Sequence, residues 1–151
     1  LDYRQAAEAG LDCAMYNYAN VLATGRGVAE DQFAAMALYR QAAELGHAKS
    51  MNLLGRYLED GQYCAQDLKA AWQWYQRSAE GGDFRGQFSH AAVLAQRGQV
   101  DEALEWLRKA LAGGNLNFLR VAQRSLIEAP DPSIRSMASD FAQRVAQLQF
   151  A

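Results

Sequence analysis

Apolar residues recur along the chain at the three- and four-residue spacing of α-helices, in blocks separated by short glycine-containing segments. An aspartate before a block can cap a helix N-terminus, and a glycine after it can take the left-handed conformation that ends a helix. On these signals the first helix of each pair is predicted over residues 14–24, 48–60, 84–97 and 116–128. The second helices are predicted to begin after Asp31 and Asp67 and to end at Gly46, Gly82 and Gly114, with a last helix over 132–149. The pattern predicts an all-α protein.

The helical pattern coincides with an internal sequence repeat. The hexapeptide YRQAAE at residues 3–8 recurs 36 residues later, at residues 39–44. Two related segments follow, YQRSAEGG at 75–82 and LRKALAGG at 107–114. A single helix pair cannot bury its apolar surfaces alone, whereas stacked pairs can. The repeat therefore predicts a solenoid of antiparallel helix pairs that forms one domain over residues 1–151.

The glycines set the predicted repeat boundaries. Residues 1–10 are interpreted as the second helix of a truncated repeat, followed by repeats at 11–46 and 47–82. A shortened third repeat spans 83–114, and 115–151 is predicted to be a divergent capping pair. Because Leu1 already lies inside a repeat, we expect the natural N-terminus to lie upstream of it.

Composition and charge narrow the function classes. The net charge is −2 and the isoelectric point is about 5.7, so the chain lacks the basic surplus typical of nucleic-acid binders. No stretch approaches the length of apolar sequence that spans a bilayer, and no membrane insertion is predicted. Cys13 and Cys64 form neither a CxxC pair nor a metal-ligand cluster. They are predicted to be unpaired thiols of a reducing, cytoplasmic compartment, and a periplasmic location stays open.

The side chains that could carry catalysis form no recognisable constellation. Neither His47 nor His90 has a second ligand at metal spacing, no serine lies in a GxSxG context, and no phosphate-binding loop follows a strand. We therefore predict no enzyme activity, no metal and no cofactor. Trp74 and Trp106 occupy the same repeat position and are predicted to pack, while Trp72 could be partly exposed.

Four segments carry a resemblance to a known family: LATGRGVAED (22–31), LYRQAAELGH (38–47), LLGRYLEDGQYCAQD (53–67) and AAWQWYQRSAEGG (70–82). They resemble Sel1-like repeats, helical hairpins related to tetratricopeptide repeats. The third unit, RGQVDEALEWLRKAL (97–111), is closer to an ordinary tetratricopeptide repeat. The resemblance implies a right-handed α-solenoid that serves as an adaptor or scaffold, often in bacteria, and it implies no reaction.

The resemblance also implies where a partner would bind. In this superfamily the first helix of each repeat lines a concave groove. Carried over to this sequence, the groove residues are Tyr16, Asn20, Lys49, Asn52, Arg56, Glu59, Arg85, Phe88, Arg120 and Arg124.

These residues support the hypothesis of a groove for a partner protein or peptide, in particular an acidic or C-terminal segment. Arginines offer paired donors to carboxylates, and asparagines can hold a peptide backbone. Asn20 and Arg85 match two positions of the carboxylate clamp found in some tetratricopeptide adaptors, whereas Tyr16, Leu53 and Ser89 replace the others. Four alternatives stay open: solvated charges with no partner, a structural spacer within a longer protein, a small-molecule binder or enzyme, and self-association through the helix at residues 1–10.

Overall fold

The structure, a computed structural model, describes residues 9–150 of the chain. Every regular element in this range is an α-helix. The helices are α1 (Leu11–Thr24), α2 (Gln32–Glu44), α3 (Ala48–Asp60), α4 (Leu68–Glu80), α5 (Phe84–Gln96), α6 (Val100–Gly113), α7 (Leu116–Ile127) and α8 (Pro132–Gln149). The prediction of an all-α chain is confirmed. The helix predicted over residues 1–10 lies mainly outside the described residues.

Local capping chemistry places most helix boundaries where the sequence predicts them. The carboxylates of Asp31 and Asp67 accept hydrogen bonds from the backbone N–H groups of Ala34 and Ala70, each at 3.0 Å. Asp131 caps α8 in the same way, with Pro132 as the first helical residue. At the other end of the first helices, Gly25 and Gly61 are left-handed, with φ of 71° and 70°. These boundaries follow from short-range interactions that the sequence alone displays.

Gly114 departs from its prediction as a left-handed terminator. Gly46 and Gly82 have positive φ as expected, but Gly114 has a φ of −71° and an extended conformation. The reason for glycine here is space, because a Cβ at this position would lie 2.5 Å from Phe118 Cδ2 and 2.8 Å from the Ala110 carbonyl oxygen. The tight entry into α7 therefore requires a residue without a side chain.

The chain divides into two compact units between Gly82 and Asp83. This division coincides with the predicted boundary between the second and third repeats. In the first unit α1 packs against α2, α2 against α3 and α3 against α4. In the second unit α5 pairs with α6 and α7 with α8. That the two units form one domain stays a prediction.

The core of the first unit uses small residues where helices approach closely. Ala19 and Ala71 are fully buried, and Gly55 of α3 faces α4 so closely that its Cα hydrogen stands against the ring of Tyr75. Half-buried Trp72 and Trp74 pack against the same cluster. Small residues at these positions permit the close approach, and the aromatic side chains fill the wider spaces beside them.

The core of the second unit is rich in aromatic side chains. Phe118 of α7 contacts Phe84 and Phe88 of α5 at ring distances of 4.8 and 5.8 Å, and Phe141 of α8 is fully buried beside them. Half-buried Trp106 packs against this cluster, as predicted from its repeat position. Helices α7 and α8 therefore share one core with α5 and α6.

Candidate functional site

Helix α3 presents a polar face to solvent while its opposite face is buried. Its N-terminus is capped by His47, whose Nδ1 accepts from the backbone N–H of Ser50, so this histidine has a structural role. One side of α3 carries the buried residues Met51, Leu54 and Leu58. The exposed residues of the helix are Lys49, Arg56, Glu59 and Asp60. Hydrophobic residues three and four positions apart fix this orientation.

Along this face of α3 lies an open cleft of about 690 Å³, here called the α3 cleft. Five of its lining residues belong to α3, one to the following loop and one to α4. They are Leu53, Arg56, Tyr57, Glu59, Asp60, Tyr63 and Tyr75. The structure thus brings together Arg56 and Glu59, two of the residues that the family resemblance singled out. Lys49 does not line the cleft.

A hydrogen bond between α4 and α3 fixes one wall of the cleft. The Tyr75 hydroxyl donates to Glu59 Oε1 at 2.6 Å, and the Tyr75 side chain is only 3% exposed. Burial, and then the hydrogen bond to Glu59 and its charge, raise the pKa of Tyr75 far above its ordinary value, while Arg56 partly offsets this. Tyr75 therefore remains a donor, and the Glu59 carboxylate is held in one orientation.

The opposite wall belongs to a row of aromatic rings that crosses the first unit. Tyr57 lies 5.9 Å from Tyr39 and 6.1 Å from Tyr63, measured between ring centroids. The Tyr57 hydroxyl donates to Gln32 Oε1, and Gln32 Nε2 in turn donates to Glu30 Oε1 at 2.9 Å. The row gives the cleft a rigid wall with an acidic side chain behind it.

Two of the residues proposed on α1 hold the first hairpin together. The Tyr39 hydroxyl donates to Asn20 Oδ1, and the ring of Tyr16 lies 6.1 Å from Tyr39 and 4.8 Å from His47. Both Tyr16 and Asn20 are half-buried. Asn52 of α3 is only 2% exposed, so its side chain lies in the interior rather than on the predicted surface.

The remaining sequence-predicted residues lie in the second unit. Arg85 places its guanidinium 4.8 Å from the centre of the Phe84 ring, and Phe88 packs against Phe118 and Phe141 as part of the core. On α7, Arg124 is exposed and Arg120 is half-buried. Phe88 also lines a second cavity of about 430 Å³ with residues of α7, α8 and the turn between them. Neither Arg120 nor Arg124 lines that cavity.

Sequence reasoning missed the aromatic part of the α3 cleft. Tyr75 begins the repeated motif YQRSAEGG and is not among the residues predicted for the groove, and its hydroxyl contact with Glu59 depends on the approach of α4 to Gly55. Tyr63 lies in the loop after α3, whose conformation the helical pattern does not determine. The spacing of Tyr57 and Tyr63 around the terminating Gly61 was the one available signal.

Within residues 9–150, no three His, Cys, Asp or Glu side chains group closely enough to hold a metal ion. Cys13 and Cys64 are free thiols, as predicted. None of the helices α1 to α8 is both long and apolar enough to cross a membrane.

The buried tyrosines predict a loss of stability at alkaline pH. Burial raises the pKa of Tyr39, Tyr57 and Tyr75, with the neighbouring acidic and tyrosine side chains adding to it. Unfolded tyrosines ionise near pH 10, so above about that pH the unfolded state binds fewer protons and the free energy of unfolding falls as pH rises. We expect Tyr39→Phe to make this fall shallower, measured by urea unfolding across the alkaline range. Tyr18→Phe, at a 55% exposed position, should keep the wild-type slope, and equal slopes for both variants would contradict the prediction.

Comparisons with known proteins agree with this architecture. The family model described as Sel1 repeat matches residues 14–47, 48–83 and 96–115. The chain is similar to a crystal structure of a Sel1 repeat protein from Oxalobacter formigenes, with 27% identity, a TM-score of 0.67, and coverage of 94% of this chain and 62% of the other. It is also similar to a protective antigen of uropathogenic Escherichia coli strains that displays an SLR fold, with 24% identity, a TM-score of 0.71, and coverage of 96% and 32%.

The chain therefore spans less than two thirds of the length of either structure. Comparison with curated protein sequences finds no match. The matched repeats cover more than half of the chain, and both structural neighbours are helical-repeat proteins of bacteria, as the sequence predicts. The chain belongs to the Sel1 repeat family.

Proposed function

We propose that this protein is an adaptor that binds a segment of a partner protein on the surfaces formed by its first helices. The Sel1 repeat fold generally mediates protein–protein interaction, and proteins of this family are typically non-enzymatic scaffolds. The observation that carries the proposal is the α3 cleft, where exposed Arg56, Glu59 and Asp60 stand beside half-buried aromatic rings. Exposed charge next to a preformed aromatic wall is typical of a recognition surface.

The open form of the α3 cleft favours an extended segment over a small molecule, which usually binds in an enclosed pocket. At about 690 Å³ the cleft exceeds the volume of any single side chain, and its mouth is open to solvent along α3. Rigid tyrosine rings offer contact area at a low cost in conformational entropy, because they are already held by their neighbours. A partner segment could therefore dock without rearranging the first unit.

The proposal of an acidic or C-terminal partner segment applies best to the second unit. Arg124 is exposed and Arg120 half-buried on α7, one helical turn apart. Two guanidinium groups at this spacing can contact carboxylates of one bound segment. The clamp-like pair Asn20 and Arg85 is less available, because Tyr39 already donates to Asn20 and Arg85 lies against Phe84.

Site-specific photocrosslinking tests the proposed function. A benzoylphenylalanine residue would replace Arg56 in one variant and Gln73, an exposed residue of α4, in the control. After exposure to extract of the source organism, we expect one dominant crosslinked protein from position 56 and none from position 73. Equal crosslinking from both positions, or crosslinking from position 73 alone, would contradict binding on the first helices. A spacer segment would give no dominant crosslink at either position.

Self-association is a second proposal, and it rests on the sequence alone. It concerns the helix predicted over residues 1–10, which carries the same YRQAAE motif as α2. Light scattering over a range of protein concentrations distinguishes this from partner binding, because self-association would raise the mean mass without any other protein.

A further inference from the structure

Acidic side chains outnumber basic ones in the α3 cleft, whereas the ten groove residues implied by the family resemblance include five basic residues and only one acidic residue. Glu59 and Asp60 line it against one cation, Arg56, while Lys49 points elsewhere. Glu30 adds a third carboxylate behind the aromatic wall, through the hydrogen-bonded chain from Tyr57 to Gln32 to Glu30. The field inside the cleft therefore favours a positive charge.

The aromatic rings of the cleft also favour a positively charged ligand. Tyr57 and Tyr63 meet at 61° with centroids 6.1 Å apart, and Phe33 stands edge-on to Tyr63 at 5.4 Å. Tyr57 and Tyr63 are both half-buried, so part of each ring is accessible from the cleft that they line. A cation over such a face is attracted by the ring quadrupole, and a methylene stem packs well against the ring.

Arg56 shows how a cation is accommodated in this environment. It lines the cleft together with Glu59 and Tyr75, and its positive charge partly offsets the rise in the pKa of Tyr75. Arg56 is nevertheless exposed on the surface of α3, so its long side chain can turn into solvent when another cation enters the cleft.

From these observations we propose that the α3 cleft binds an arginine or lysine side chain of the partner segment. The stem of that side chain lies against Tyr57 and Tyr63, and its charged head reaches the carboxylates of Glu59 and Asp60. Tyr75 serves as a positioning residue, because its hydroxyl holds the Glu59 carboxylate toward the cleft. This inference rests on the proposed function and names the chemistry of the partner at this site.

Peptide selection tests the inference without knowledge of the natural partner. Random peptides would be selected on the full chain, and the affinity of the consensus peptide would be measured by fluorescence anisotropy. We expect an invariant arginine or lysine in the consensus. Replacing that residue by neutral citrulline or norleucine should weaken binding by roughly 5- to 10-fold, the range of a partly exposed cation–π contact together with a carboxylate contact.

Substitutions in the cleft distinguish a basic partner residue from an acidic one, because the two would change the peptide affinity in opposite directions. Asp60→Asn and Tyr63→Leu should each weaken the consensus peptide several-fold, whereas Arg56→Gln should leave its affinity unchanged or increase it. Glu44→Gln, an exposed carboxylate on α2 away from the cleft, is the charge-matched control and should have no effect. Circular dichroism would confirm that each variant keeps the helical content of the wild type.

Three results would overturn the inference. An acidic consensus whose binding is lost on Arg56→Gln would show that the cleft selects carboxylates. A consensus peptide that crosslinks to first-helix positions but is insensitive to Asp60→Asn and Tyr63→Leu would leave the proposed function standing without this site. Failure to select any binding peptide would count against both the proposed function and the inference.

Discussion

Replacing Gly55 by alanine should lower the free energy of unfolding by about 1–3 kcal/mol, the usual cost of overpacking a core. The same change inside an exposed helix ordinarily raises stability by up to about 1 kcal/mol. The sign reverses here because the added Cβ would lie 2.6 and 2.8 Å from ring carbons of Tyr75 and 3.1 Å from the Ala71 carbonyl oxygen. The Tyr75 ring cannot easily yield, since it is buried and its hydroxyl is bonded to Glu59.

Urea unfolding of Gly55→Ala and a matched control would measure this effect. Gly113 is the last residue of α6, and a Cβ built there meets nothing within 4 Å. Gly113→Ala should therefore be as stable as the wild type or slightly more stable. If Gly55→Ala were also as stable as the wild type, α3 and α4 could separate at little cost, and the fixed geometry of the Tyr75–Glu59 wall would be wrong.

The helix boundaries were predictable because they depend on neighbouring residues in sequence. Asp31 and Asp67 cap the helix that follows each of them, and Gly25 and Gly61 end the helix before them through a left-handed backbone. The helix before Gly114 ends where it was predicted to end, but the left-handed backbone predicted for Gly114 was wrong, for a reason that no local signal shows. Its glycine is required by the Phe118 ring, and the position of that ring is set by the core of the second unit.

The candidate site was only partly predictable for a related reason. The repeat register places Arg56 and Glu59 on the exposed side of α3, and the structure has both in the cleft. The same register also predicts Asn52 and Phe88 to be groove residues. The structure places Asn52 in the interior and Phe88 in a partly buried position of the core. The position of a residue along a helix determines the side of that helix on which it lies. Whether the residue is buried depends on which other helix packs over that side.

The charge of the α3 cleft was also only partly predictable from the sequence. The ten groove residues implied by the family resemblance include five cations and one acid, and they omit Asp60 at the end of α3 and Glu30 before α2. Asp60 lines the cleft from the last position of α3, and Glu30 is linked to Tyr57 through the hydrogen-bonded side chain of Gln32, a connection that no helical pattern represents. Local charge at a binding site is a property of the fold, and it can oppose the balance of the residues that first point to the site.

Phe141→Ala should destabilise the second unit by about 3–5 kcal/mol, the range for deleting a buried phenylalanine. Phe141 is fully buried in α8, with ring centroids 6.5 Å from both Phe88 and Phe118. Removing the ring leaves a cavity among three helices, and other aromatic rings cannot close it without losing their own contacts. The expected loss of stability is large because α8, in the segment least similar to the other repeats, supplies a ring that contacts both α5 and α7.

Hydrogen exchange and urea unfolding would measure the change, with Phe150→Ala as the matched control. Phe150 is also a phenylalanine at the end of α8, but it is 83% exposed, so its removal should change stability by less than about 0.5 kcal/mol. Amides of residues 83–149 should lose protection in Phe141→Ala. If Phe141→Ala lowered the free energy of unfolding by less than about 1 kcal/mol, the second unit would not depend on α8. The divergent repeat would then be an appendage rather than the part of the core that completes this unit.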